Sequence, residues 1–584
     1  MKADTLNISG IIQRDTLLRI PYFQRRYVWG EKDWERFAID MESTLDSIQK
    51  YFLGAIILKE EQLAQQDRRN GIGRRFLVVD GQQRLTTLSI YMKVLHMLTA
   101  KSDIFAMQYL QNSGVKDPVL THNCEDMPAF NQIMHLDTLK DVDECNNIFK
   151  AYKYFRNKLI EARETRGVVL DELLNTINSS ITFVAISLNQ DDDEQQIFDT
   201  INSLGVPLTT GELIKNFLYR AEDEEIYRDT WKNVFDIDGE NEWWMLDRAK
   251  SRQLKDSKTT NIEIFFHAFV RIKMWDFKDR LSEIQRKNFV KAGNVLSTCK
   301  SFVVDFGMTR QQLAEEIIAY AKLFRNHFSM DILDESIPSY PCIKRIACIV
   351  NATKSHAVIP YALYVLNNVN DELERNKIFG YIETYLIRRM LANSNNKSYS
   401  EFFSESLIAN RLLTLDTLKG FVEGKNEDQN LAIPGDAKVK VNLCSRKLDE
   451  NTACVLYYMF ESKVRTTDDK KIGGFNDYRT EQLMPKAARN NSFTWPREND
   501  EYEEELRKML IGTLGNYFLM DNDGKKNLQS VYNSAFAEKI AVMNKWGSEI
   551  KCNRIITTLL KWRANEINER NQALATNMCK IFAI

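Results

Sequence analysis

Apolar and polar positions change period sharply between Phe76 and Met92, and that change organises the rest of the chain. Four apolar, β-prone residues, Phe76 to Val79, predict a short buried strand. Asp80-Gly81 breaks it, and apolar residues resume at helical spacing at Leu85, Leu88, Tyr91 and Met92. A strand that turns through glycine into a helix collects free backbone N–H groups and a positive dipole end at one point, which suits phosphate. Asp80, at the carboxyl end of the strand, is placed to hold a metal ion or orient a water. Arg84 is placed to grip a phosphate through charge-assisted contacts. The plainer alternative is an ordinary turn with a surface arginine.

Elsewhere the same patterning predicts a surface helix from Glu31 to Lys50, with Trp34, Phe37, Met41 and Leu45 inward. Strands are predicted at Tyr51–Leu58 and Ile181–Leu188, separated by helices and connections over 101–180. From about Glu222 to Gly435 the pattern is almost wholly helical, as in Leu313, Ile317, Ile318, Tyr320, Ala321 and Phe324. A further strand is predicted at Lys438–Leu443.

At 584 residues the chain exceeds a single core, so several domains are expected. Lys+Arg is 79 against Asp+Glu 81, so nucleic-acid binding would need local basic patches rather than a global field. No apolar run approaches the ~20 residues of a membrane span, and the N-terminus has no apolar signal region. Nine cysteines, none in a Cys-x-x-Cys pair, fit reduced thiols in a cytoplasm and no zinc set. Cys124 lies near His122, but two ligands do not make a site.

Candidate chemistry concentrates in a few stretches. In Ile20-Pro21-Tyr22-Phe23-Gln24-Arg25-Arg26-Tyr27-Val28-Trp29, arginines interleave with aromatics, an arrangement that can grip phosphate and stack on a base. For Phe23 and Trp29 a core role is expected. The Gln62–Arg75 connection carries Arg68, Arg69, Arg74 and Arg75, as a solvated loop or one approaching a phosphate backbone. Asp191-Asp192-Asp193-Glu194 is expected to cap the following helix rather than bind metal. His267, His327 and His356 are isolated and read as structural.

Asp80-Gly81-Gln82-Gln83-Arg84-Leu85-Thr86-Thr87 resembles the signature of the GmrSD-type family of restriction and phage-defence proteins, whose N-terminal domain is similar to ParB. The Ile20–Trp29 block and Phe198-Asp199-Thr200-Ile201-Asn202-Ser203-Leu204-Gly205-Val206-Pro207-Leu208 resemble two further family blocks, in the same order. The resemblance implies an N-terminal domain that binds and hydrolyses a nucleoside triphosphate with Mg2+. Asp80 and Arg84 would be catalytic, and Gln24, Arg25, Arg26, Gly81, Gln82, Gln83, Thr86 and Asn202 would bind the nucleotide. DNA, including modified phage DNA, is the implied partner, together with a separate nuclease or modification enzyme; an oligomer is compatible with this.

Near the other end, Tyr478-Arg479-Thr480-Glu481-Gln482-Leu483-Met484-Pro485 and Trp495 resemble the start of an HNH-like nuclease domain. Leu514-Gly515-Asn516-Tyr517-Phe518-Leu519, Asn527, Asn533, Phe536 and Lys539 resemble its middle, and Trp562, Ile567 and Arg570 its closing helix. An HNH nuclease needs a histidine to activate water beside a metal ion. The family motif reads Glu-His-Ile-x-Pro, whereas Gln482 stands here at the histidine position, and glutamine cannot take a proton. All six histidines lie at positions 96, 122, 135, 267, 327 and 356, so none substitutes.

The resulting expectation is a helix-rich α+β protein with three parts. Residues 1–221 form a ParB-like nucleotide-binding domain, 222–435 an all-helical linking region, and 436–584 an HNH-like domain lacking nuclease activity. The metal ligands are left open. Two alternatives remain beside this reading: a non-catalytic DNA-sensing scaffold for a separate catalytic partner, and a modification-dependent endonuclease with an unconventional base.

Overall fold

A computed structural model describes residues 2–188, 209–248, 260–424, 431–484 and 501–584, apart from single positions and short stretches within them. The fold is α+β and rich in helix. The chain divides into two compact units, Met1–Trp231 and Lys232–Ile584.

The first unit is built on a six-stranded mixed sheet. Its strands are β1 (Lys2–Asn7), β2 (Thr16–Arg19), β3 (Tyr51–Glu60), β4 (Arg74–Asp80), β5 (Leu120–Thr121) and β6 (Ile181–Leu188), in the spatial order β1-β6-β3-β4-β2-β5. β3 runs parallel to β6 and antiparallel to β4, so β4 lies inside the sheet with Leu77, Val78 and Val79 buried. β4 is flanked by β2, parallel, and β3, antiparallel, and is covered by helices, so Phe76–Val79 reads as a continuous apolar run rather than an alternation. Helices α1 (Glu31–Ser43), α2 (Gln82–Leu98), α3 (Asn147–Thr165) and α4 (Leu170–Ser180) pack around it. α2 is buried along most of its length, with Leu85, Leu88, Ile90, Tyr91, Met92, Val94 and Leu95 inaccessible or nearly so. Trp34, Phe37 and Met41 of α1 face the same core, where Phe37, Tyr91 and Phe155 meet edge to face.

In the second unit, α5 (Asn261–Lys273), α6 (Arg310–His327), α7 (Ile343–Thr353), α8 (Ile359–Asn368) and α9 (Glu372–Leu391) lead into α10 (Asp436–Ser445) and α11 (Glu450–Val464). The strand expected at Lys438–Leu443 is therefore part of a helix. Only Val439 and Leu443 are buried there, four residues apart on one helical face, and Val441 is 69% exposed. Three alternating residues mimicked a strand over a window too short to separate the two periods. α11 is the spine of this region. Arg345 on α7 donates to Glu383 on α9 at 2.7 Å and to the Ser462 hydroxyl at 3.0 Å, while Lys463 reaches Glu383 at 3.3 Å. Glu461 accepts the backbone N–H groups of Lys551 and Cys552 at 2.9 and 3.0 Å. Fully buried charges hold only because each is paired and hydrogen-bonded. Beyond α11, strands β7 (Tyr478–Gln482) and β8 (Tyr517–Asp521) pair antiparallel, and α12 (Asn522–Ser530) follows β8 directly. The closing helix α13 (Ala564–Ile581) packs on α10, α11 and the Leu514–Asn516 turn.

Two buried histidines make this unit sensitive to acid. Burial holds His267 down to about 3 and His356 to about 4, with neighbouring arginines adding to both shifts. An unfolded chain takes these protons near pH 6.5 while the folded one refuses them. Their contribution is thus complete above pH 6.5 and is lost as pH falls, at about 1.4 kcal/mol per pH unit per site. Melting followed from pH 7.5 to 5 is expected to show a falling transition that is shallower in His267→Gln. An unchanged slope in that variant would refute the assignment.

Candidate functional site

The turn from β4 into α2 places Asp80 at the end of a central strand and Arg84 in the first turn of a 17-residue helix. Arg84 donates to Asp80 at 2.9 Å, and the two side chains keep 24% and 21% of their surface accessible. Gly81 sits between them at φ +102°, where an L side chain is strained, and a Cβ would lie 2.6 Å from Ile56 Cγ2. Gly54, inside β3 at φ +118°, is the second required glycine, because a Cβ there would run into the Arg84 guanidinium. The β3–β6 register shifts between Phe52 and Ala55, so Gly54 marks a bulge that makes room for Arg84. A glycine interrupting the Tyr51–Leu58 run was the signal for it.

The glutamines of the signature do something the sequence does not announce: they hold the Pro21–Trp29 loop. Gln82 donates to the Arg25 carbonyl at 2.8 Å. Gln83 accepts from the Val28 and Trp29 N–H groups at 2.9 and 3.3 Å and donates to the Arg26 carbonyl at 3.2 Å. Gln24 returns the contact, donating to the Val78 and Val79 carbonyls at 2.9 and 3.0 Å. Two family blocks more than fifty residues apart are thereby one interlocked structure. Its geometry leaves Asp80, Gly81 and Arg84 at the turn and Arg25, half-buried, on the loop beside it.

A third element, invisible in the sequence, clamps the loop from the chain after β5. Asn123 donates to the Gln24 and Arg25 carbonyls at 3.3 and 3.4 Å. Asp126 accepts the Tyr27 N–H at 2.7 Å, and Glu125 pairs with Arg26. Burial pushes the Asp126 carboxyl up to about 6. Thr86 is fully buried, donating to the Gln82 carbonyl at 2.8 Å, with His122 Nε2 3.0 Å from its hydroxyl. Tyr27 bonds the Thr87 hydroxyl at 2.6 Å and accepts from Trp34 at 2.8 Å, tying the loop to α1 as well. Gln83→Leu keeps the volume but strands two N–H groups. It is expected to destabilise the first unit by about 1–3 kcal/mol, read by urea unfolding; a stability equal to that of the parent chain would contradict the clamp.

The basic connection turns inward on acids rather than outward. Arg75 bonds Glu61 at 3.0 Å and Asp67 at 2.8 Å, Arg19 also holds Glu61, and Arg74 reaches Gln13. Arg68 and Arg69 remain exposed on a five-residue helix, Gln65–Arg69. Asn202, Gly205 and the Asp191–Glu194 run lie outside the described residues.

At the other end Gln482 is 5% exposed, its amide donated to the Ile511 carbonyl at 3.0 Å. Glu481 accepts the Gln482 N–H at 3.3 Å and has Lys525 at 3.8 Å. Asn516 is fully buried: its oxygen accepts from the Met484 N–H at 2.8 Å and Trp562 at 3.1 Å, and its nitrogen donates to the Met484 and Ile511 carbonyls. Every polar position of that side chain is committed to structure. Asn527 is exposed and bonded to its own helix at the Asp523 carbonyl. Asn533, Pro485 and Trp495 lie outside the described residues. Among the described residues no group of three or more His, Cys, Asp or Glu converges as a metal cage, and no helix is long and apolar enough to cross a membrane.

Comparison with known families accounts for both ends. The profile of the GmrSD restriction endonuclease N-terminal domain matches residues 8–219, and that of the GmrSD restriction endonucleases C-terminal domain matches residues 433–577. The strand–turn–helix site and the paired strands with their helix therefore lie in a protein of the restriction and phage-defence class. The chain belongs to the GmrSD restriction endonuclease family. No curated protein matches it.

Proposed function

We propose that the first unit binds a nucleoside triphosphate and hydrolyses it at the Asp80–Arg84 turn, and that the C-terminal domain engages DNA without cutting it. The observation that carries the first half is the 2.9 Å Asp80–Arg84 pair at the positive end of α2, partly open to solvent. Free N–H groups of the first helical turn favour an anion there. Arg84 has four further N–H donors beyond the one facing Asp80, enough to bind phosphate oxygens without leaving its partner. Asp80 offers a carboxylate at the same turn, suited to orienting a water. Magnesium usually takes one or two carboxylates, with phosphates and water completing its shell, and a single Asp80 fits that pattern. Its chemistry when bound is to neutralise charge on the phosphates. The interlocked Gln24–Gln82–Gln83 bonds hold the loop that carries Arg25 beside the turn.

The second half rests on Gln482. The side chain at the base position accepts no proton and already bonds the Ile511 carbonyl, which favours a DNA-sensing role coupled to a catalytic partner supplied separately. Phosphate release with Mg2+ and each of the four ribonucleoside triphosphates, with and without DNA, tests the whole reading. Absence of turnover together with absence of nucleotide binding would overturn the first half. Cleavage of plasmid by the purified chain would overturn the second.

A further inference from the structure

Inside the second unit a small cavity of about 10 Å³ has an apolar side, Ile264, Ala268, Ala357 and Pro360, and a polar side made by His267 and Arg271 of α5, His356 of the 3-10 turn His356–Val358, and Ser400 and Ser404 at the π-helix Glu401–Ile408. That is room for one water-sized guest. Arg271 is the charged group of the lining, and burial keeps both histidines neutral at pH 7.5. Arg271 donates to the Ser404 hydroxyl at 3.0 Å, and that hydroxyl in turn donates to the Ser400 carbonyl. His267 Nε2 is 3.1 Å from the Val290 carbonyl and 3.4 Å from Arg271 Nε. One nitrogen cannot donate to the carbonyl and accept from the guanidinium at once, so the Arg271 contact is a repulsive or empty one. His356 is 7% exposed, and its buried Nδ1 has no hydrogen-bond partner. The Arg248 guanidinium adds further positive potential at His356.

No carboxylate compensates at contact distance. Among the described residues Arg271 makes no ion pair, and Glu405 is the acid whose charge it feels at longer range. A mostly buried guanidinium without a contacting anion is costly, and an unpartnered imidazole nitrogen at the same cavity adds to the cost.

We infer that this cavity is a binding site for a single small monovalent anion of the chloride type, held by Arg271 with His356 and Ser404 around it. A cation is disfavoured by the Arg271 guanidinium on the cavity and by the Arg248 guanidinium, whose charge reaches His356. A polyatomic phosphate is too large for the space. The site is independent of the nucleotide reading, since its lining comes wholly from the Lys232–Ile584 unit.

The test uses the full chain. Crystals grown in sodium bromide are expected to show an anomalous bromide peak in the cavity. At pH 7.5 and constant ionic strength, exchanging gluconate for chloride should raise the melting temperature by about 2–4 °C. Arg271→Gln should abolish that shift, and Arg271→Lys should retain part of it. Should Arg271→Gln fail to fold, the bromide peak in the unmodified chain decides. A cavity without anomalous signal, or a chloride-dependent shift that persists undiminished in Arg271→Gln, would overturn the site and leave a buried water in its place.

Discussion

Arg84→Ala is expected to lower kcat/KM for nucleoside triphosphate hydrolysis by about 10²–10³-fold while leaving the first unit folded. Removing one preorganised charge-stabilising donor typically has that effect. The pair it forms with Asp80 is about a fifth exposed on each side, so its own contribution to stability is at most about 1 kcal/mol. Arg84→Lys should not restore activity, because an ammonium cannot keep Asp80 and grip phosphate with a planar fork. Asp80→Ala should lose at least as much, since it removes the carboxylate and frees the guanidinium from its fixed orientation. Gln83→Leu provides the contrast, costing stability first. Measuring turnover and melting on all four variants separates the roles. If Arg84→Ala hydrolyses at the parental rate, the turn is a structural joint and the catalytic assignment falls.

Gln482→His is expected to leave plasmid DNA uncut, modified or not, with Mg2+ or Mn2+ and nucleotide present. Supplying an imidazole restores one missing part only. The Gln482 side chain is buried and aimed at the Ile511 carbonyl, so a histidine there would meet the Leu510–Thr513 corner before it met solvent. Asn516 has both its oxygen and its nitrogen committed, holding Met484, Ile511 and Trp562 together. Asn527 bonds the carbonyl four residues back in α12. A metal would therefore have to be held by groups already tied into the fold, and a general base alone is worth ~10²–10⁴ in rate. A nicked or linearised product appearing in Gln482→His, and absent from the parent chain, would show that a metal and a DNA path survive and would revive the endonuclease reading.

Much of this protein is determined by order in the chain. Phe76–Val79 had to be a buried strand and Leu85–Met92 a buried helix, because both periods are strong and an Asp-Gly step separates them; the structure has β4 and α2 there. Tyr51–Leu58 and Ile181–Leu188 were legible for the same reason, as was the helical run beyond residue 222. Lys438–Leu443 was not, since three alternating apolar residues match a strand and one face of a helix equally over so few positions. The signature Asp80–Thr87 and the Ile20–Trp29 block were also legible as motifs.

What each signature residue touches was decided only by folding. The Gln24, Gln82 and Gln83 amides look like ligand-binding groups in a motif, yet side chains able to recognise a nucleotide are equally able to satisfy a loop's backbone. Only the approach of β4, α2 and the 20–29 loop brings them onto that loop's backbone. Asn123 and Asp126 carry no local pattern, because each has its partner 99 residues away, in Gln24 and Tyr27. The His267–Arg271–His356–Ser404 cavity is likewise absent from any single stretch. Periodicity reports how one segment meets a core; a site made of contacts between distant segments exists only once the entropy of closing those long loops has been overcome by the packing around it.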